Sequence, residues 1–108
     1  MKARLALLLF VLPLPVLAAD ATPFDRDMAR LTHGLPPRVR ALIHREADCN
    51  HWAGEEGYDP ARIAQINAAV ETLKCAALDA DEARLKQRYA HSAHVLRALK
   101  KARDLFAS

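Results

Sequence analysis

Apolar residues return along this chain at helical spacing in four or five separate runs, and each run is bounded by residues that start or stop helices. Phe24, Met28 and Leu31 recur at i, i+4 and i+7, one stripe of a helix. Thr22-Pro23 supplies an N-cap and a proline at the first helical position, and Asp25 and Asp27 suit the first turn. Gly34 and Leu35-Pro36-Pro37 forbid continuation, so the pattern predicts a helix over residues 23–33. A second helix is expected from Pro37 to about Ala53, with Val39, Leu42, Ile43 and Ala47 inward, Cys49 at the edge of that face and Ala53 at its end. Glu46 and Asn50 fall on the same face. Polar groups buried there need partners, and arginines from another helix are the expected source.

Gly54 ends this run, Gly57 lies in a corner, and Asp59-Pro60 is a strong start signal. The third helix is expected from Pro60 to about Leu78, with Ile63, Ile66, Val70, Leu73 and Ala77 on one aliphatic stripe. Cys75 falls roughly 150° from that stripe, beside Ala64, Ala68 and Thr72. Such a small-residue face admits a close neighbour, which predicts that the third helix is central and that the second is stapled to it. Asp79 and Glu82 are spaced as a capping box for a further helix carrying Leu85 and Tyr89 inward, with Glu82 and Lys86 paired at i, i+4. Beyond His91-Ser92 the stripe shifts to Val95, Leu96, Leu99, Ala102 and Phe106. Either Ser92 caps a separate last helix or one long helix bends there. No run alternates as a strand does, and the expected class is all-α: a small bundle of four to five helices.

The first residues fix an address. Met1-Lys2-Ala3-Arg4 is basic, Leu5 to Val16 is apolar but broken by Pro13 and Pro15, and small residues follow at Ala18, Ala19 and Ala21. This is the pattern of a cleaved signal peptide over residues 1–19, with cleavage between 18 and 21, followed by a single helical domain over 20–108. The apolar run is too short and too proline-broken for a stable membrane span. The expected location is periplasmic or secreted.

Loss of Lys2 and Arg4 takes the formal charge from +3 to about +1, so the basic balance does not argue for nucleic acid. The remaining base is concentrated in Arg84, Lys86, Arg88, Arg97, Lys100, Lys101 and Arg103, read as a solvated helix face, with contact to an acidic partner surface or the anionic envelope as the alternative. About 90 mature residues support only a modest core. Two cysteines in an exported chain of that size predict one disulfide, Cys49–Cys75, closing a loop of 26 residues.

Rare chemistry gathers between Asp48 and Pro60. His44, Asp48, His51 and Glu55 share one exposed helical stripe, and imidazole with carboxylate suits zinc, copper or nickel. The competing reading is a polar solvent face with an ordinary His44–Asp48 pair. Cys49 and His51 point in divergent directions, and an exported Cys49 is committed to a disulfide, which argues against a Cys/His nucleophile. Glu55-Glu56 are adjacent on a corner and define no cleft for acid/base work. Ser92 and Ser108 sit in no nucleophile motif. Trp52 and Tyr58 flank the corner, either as lids over the core ends or as an exposed aromatic pair of the kind that anchors protein interfaces.

The run Cys75-Ala-Ala-Leu78-Asp-Ala-Asp81-Glu-Ala-Arg-Leu85-Lys-Gln-Arg-Tyr89, with Leu96-Arg97-Ala98-Leu99-Lys100-Lys101-Ala102-Arg103 after it, resembles the LprI-type lysozyme-inhibitor-like domain. Lys86 stands where that pattern has Asn, and the aromatic of the last helix is displaced to Phe106. The resemblance implies a small, exported, helical, disulfide-bonded inhibitor. Cys49-Asn-His51-Trp52-Ala-Gly54 is similar instead to a signature of uncharacterised exported bacterial proteins. Together these readings lead to a non-enzymatic protein, without cofactor, that binds a protein partner in the envelope or outside the cell by way of Trp52, Glu55, Glu56 and Tyr58. Metal binding by His44, Asp48 and His51 is the alternative.

Overall fold

The computed structural model describes residues 9–13 and 20–107. Most of the expected signal peptide, including Ala18 and Ala19 at the candidate cleavage points, lies outside the described residues; Leu9 to Pro13 carry no regular structure and are exposed. Five α-helices follow: α1 (Pro23–Thr32), α2 (Pro37–Ala53), α3 (Pro60–Thr72), α4 (Leu78–Arg88) and α5 (Ala93–Phe106), with a single 3-10 turn at Cys75–Ala77 ahead of α4. Among the described residues there is no strand, and no helix is long and apolar enough to cross a membrane.

Helix ends obey the local chemistry. Thr22 and Asp25 form a reciprocal capping box, Thr22 Oγ1 accepting from the Asp25 amide at 3.1 Å and Asp25 Oδ2 from the Thr22 amide at 3.0 Å. That hydroxyl and amide hold the Asp25 carboxyl below its ordinary range. Gly34 follows α1 at φ +68°, a left-handed conformation open to glycine without a Cβ penalty, and it turns the chain into Leu35-Pro36-Pro37. Asp59 caps α3 through Arg62 N at 2.7 Å, and Ser92 caps α5 through Val95 N at 3.3 Å. Of the two readings of residues 79–106, the separate last helix is the one observed.

The core belongs to α2 and α5. Val39, Leu42, Ile43 and Ala47 from α2 meet Val95, Ala98, Leu99 and Ala102 from α5, with Met28 of α1 and Leu35 closing one end. Leu78, Leu85, Tyr89 and Phe106 pack against its margin. Every other helix touches α2, whereas α3 touches only α2 and the 3-10 turn. The central helix is therefore the second, not the third. α3 buries no residue, and Ile63 on its aliphatic stripe is 46% exposed. Helical periodicity marks where an apolar stripe lies but not how much of it a neighbour covers.

The third helix also ends sooner than its pattern implied. Thr72 closes it, Lys74 takes a left-handed φ of 52°, and Cys75 begins the 3-10 turn. No glycine or proline marks this break. α2 imposes it: the Cys49–Cys75 bond sets those Cα atoms 5.7 Å apart, and Arg45, one turn before Cys49, donates to the Lys74 carbonyl at 3.5 Å. Strain at a non-glycine left-handed residue costs on the order of 1 kcal/mol and persists where neighbours over-determine it. The disulfide thus joins α2 to a turn, not to the alanine face of α3. It is compatible with an oxidising, extracytoplasmic location.

Asp79 and Glu82 are not a cap either. α4 begins at Leu78 without a side-chain cap, and both carboxylates reach across to α5. Arg103 Nη2 donates to Asp79 Oδ1 at 2.6 Å, while its Nε and Nη2 donate to Glu82 Oε2 at 2.9 and 2.6 Å. Lys86 completes the expected i, i+4 pair with Glu82 at 3.4 Å. These bonds raise the Arg103 pKa further, the hydrogen bond to Glu82 acting most. Asp and Glu three apart share a helix face, so the capping spacing served an interhelical clamp instead.

Candidate functional site

The corner between α2 and α3 is built around Arg62, a residue the sequence reading passed over. The Asp59 cap fixes the first turn of α3, and from there the Arg62 guanidinium lies over the Trp52 indole, 5.5 Å from the ring centroid. Its Nη2 donates to Glu55 Oε2 at 2.6 Å and its Nη1 to Gln65 Oε1 at 2.6 Å. His51 Nε2 stands 3.3 Å from the other Glu55 oxygen, and the His51 ring meets Trp52 edge-on at 5.6 Å. His51, Trp52, Glu55 and Arg62 therefore form one closed cluster that ties the end of α2 to the start of α3. The missed signal was an arginine at the third position of a capped helix, seven residues beyond a carboxylate that ends the previous one.

The remaining corner residues face solvent. Trp52 is half-buried beneath Arg62, Glu56 is exposed, and Tyr58 is 77% exposed. Neither aromatic belongs to the core, so they are not lids over its ends. Gly57 lies against Ile63, where a Cβ would come within 2.6 Å of Cγ1. That contact sets the path of the loop that presents Tyr58. Tyr58 and Ile63 are thus exposed apolar side chains on a short loop and the helix it leads into.

His44, Asp48 and His51 are exposed along α2 as their spacing requires. Among the described residues, no group of three or more His, Cys, Asp or Glu side chains is placed to hold a metal ion. His51 is engaged with Glu55 and Trp52 at the helix end.

A second polar centre lies under the disulfide. Glu46 is 8% exposed, and its Oε2 is buried without a hydrogen-bond partner among the described residues. Burial raises its pKa to about 7, with the Glu82 charge adding to the rise and Arg103 opposing it. A cavity of about 230 Å³ adjoins it, walled by Cys49, Cys75, Arg103 and Phe106. Glu46 is buried on the inner face of α2 and an arginine from another helix stands near it, but the expected hydrogen bond between them is not made. The arginine's bonds go to Glu82 and Asp79.

Compared with protein-family models, with curated proteins and with solved structures, the chain matches none.

Proposed function

We propose that this chain is an exported, non-enzymatic helical module that binds a protein partner in the cell envelope or outside the cell through the corner bearing Trp52, Glu55, Glu56 and Tyr58. The observation that carries the reading is the setting of Tyr58, a large aromatic left 77% exposed beside a cluster of interlocked side chains. An aromatic offered from a preorganised backbone loses little freedom on binding, and Tyr and Trp are the side chains that anchor protein interfaces. Glu56 gives the edge of the patch an exposed negative charge, beside Glu55 held in its ion pair with Arg62. The LprI-type resemblance supports an inhibitor-like role for this chain toward such a partner.

Affinity capture from envelope extracts with the mature, oxidised protein tests the assignment, each captured partner being titrated against the protein and its variants. Tyr58→Ala is expected to weaken the partner at least about tenfold, the loss of one interface anchor, and Trp52→Ala with Tyr58→Ala to abolish it. Retention of every captured partner by the double variant, with its helicity unchanged, makes the corner a purely structural joint.

A further inference from the structure

Away from the corner, α2 and α4 enclose a groove of about 810 Å³ whose walls carry four arginines, Arg38 and Arg45 from α2 and Arg84 and Arg88 from α4. Its only carboxylate, Asp81, is already shared. Arg45 Nη2 donates to Asp81 Oδ2 at 2.5 Å and Arg84 Nη2 bonds Asp81 Oδ1. Those bonds, with Arg45 acting most, hold the Asp81 carboxyl below its ordinary range. Arg38 and Arg88 are exposed, and among the described residues neither pairs with a carboxylate. Arg88 rests 5.9 Å from the Tyr89 ring centroid. Between the arginines the accessible surface is Ala41 and the half-buried Leu85, with Gln87 on the same wall and the core residue Leu42 beneath. Four guanidiniums against one carboxylate, over aliphatic carbon, is a surface with unmet anion demand and an unmet apolar contact.

We propose that this groove receives an acidic peptide segment of a partner protein, its carboxylates bound by Arg38 and Arg88 and an apolar side chain set on Ala41 and Leu85. The planar guanidinium matches carboxylate geometry with two parallel hydrogen bonds. A free inorganic anion satisfies the rim and leaves the apolar floor wet. A bilayer surface meets the exposed guanidiniums but does not descend between two helices to the floor. A peptide alternating carboxylate and aliphatic side chains meets both. The groove shares no residue with the Trp52–Tyr58 corner, so the two surfaces stand or fall separately.

The test is fluorescence anisotropy of a labelled peptide alternating Glu and Leu, titrated with the mature oxidised protein at low and physiological ionic strength. Binding is expected, weakening as salt screens the pairs. A Gln-for-Glu peptide is expected to bind at least about tenfold more weakly, and Arg38→Ala with Arg88→Ala to weaken the Glu peptide by a similar factor, since two exposed ion pairs together supply about that much. Arg26→Ala with Lys100→Ala removes the same charge from α1 and α5 and is expected to change affinity less than twofold. Inorganic phosphate at equal ionic strength is expected not to displace the peptide, and phosphatidylglycerol vesicles not to sediment the protein. The proposal is overturned if the Gln peptide binds as well, if the α1/α5 variant loses as much as the groove variant, or if phosphate or vesicles bind and the Glu peptide does not.

Discussion

Replacing both cysteines, C49A with C75A, is expected to lower the unfolding free energy by about 3 kcal/mol and the melting midpoint by roughly 15 °C. The bond spans 26 residues, and closing a loop of that length removes about that much free energy from the unfolded chain's side of the balance. The setting argues that the loss is realised in full. α3 buries no residue and touches only α2 and the 3-10 turn, so the half-buried Ile66, Ala69 and Val70 are the only apolar docking left when the covalent anchor goes. The Arg45 side chain then ties the left-handed Lys74 turn to α2 through a bond of 3.5 Å that is exposed, beside the turn's own backbone hydrogen bonds. Urea unfolding of the oxidised protein, the reduced protein and the double variant measures the difference. A change below about 1 kcal/mol would show that the segment from Pro60 to Ala77 docks by its own contacts.

The second large effect is a dependence on pH set by Glu46. Its folded pKa of about 7 lies above the ordinary 4.5, so between those values the folded state holds a proton that the unfolded state has released. Stability therefore falls as pH rises from about 4.5 to about 7, and above 7 the full cost of burying the charge is present. The cost is on the order of 2 kcal/mol, after discounting for the open cavity beside the carboxyl and for Arg103 and Lys86 nearby. Asp25 and Asp81 act in the opposite sense and in another window. Their folded pKa values are depressed, so their contribution is present above about 3.8 and is lost on further acidification. E46Q removes the fall between pH 4.5 and 7 and leaves the acid limb intact. It is expected to be more stable than the parent at pH 8 and about equal to it at pH 4. Denaturant titrations at those pH values decide it: an unchanged slope in E46Q assigns the dependence elsewhere.

Much of the fold was legible because short-range chemistry dictated it. Thr22, Asp59 and Ser92 cap the helices they precede, Gly34 turns the chain after α1, and the stripes of α2 and α5 are the core faces. Where reading failed, a long-range contact outweighed a local preference. Residues 73–77 have good helical composition, yet the disulfide and Arg45 pull them into a left-handed step and a 3-10 turn. Asp79 and Glu82 have the spacing of a cap, yet the arrival of Arg103 makes them a clamp. At the corner, Trp52 and Tyr58 were visible as rare residues. Arg62 was not, because its spacing from Glu55 and the Asp59 cap only permits the pair, and the angle at which α3 leaves the corner is what brings the guanidinium onto Trp52.

A staple placed at the far end of an exposed helix has one more effect. α3 contributes no residue to the core, so once the Arg62 cluster at its start is released it opens without disturbing that core. A cut anywhere from Pro60 to Thr72 falls inside the loop closed by Cys49–Cys75, so both products remain one molecule until a reductant arrives. Such a nicked form runs as a single band without thiol and as two with it. In an environment rich in peptidases, the chain is arranged so that damage at its most accessible helix separates no part of it from the rest.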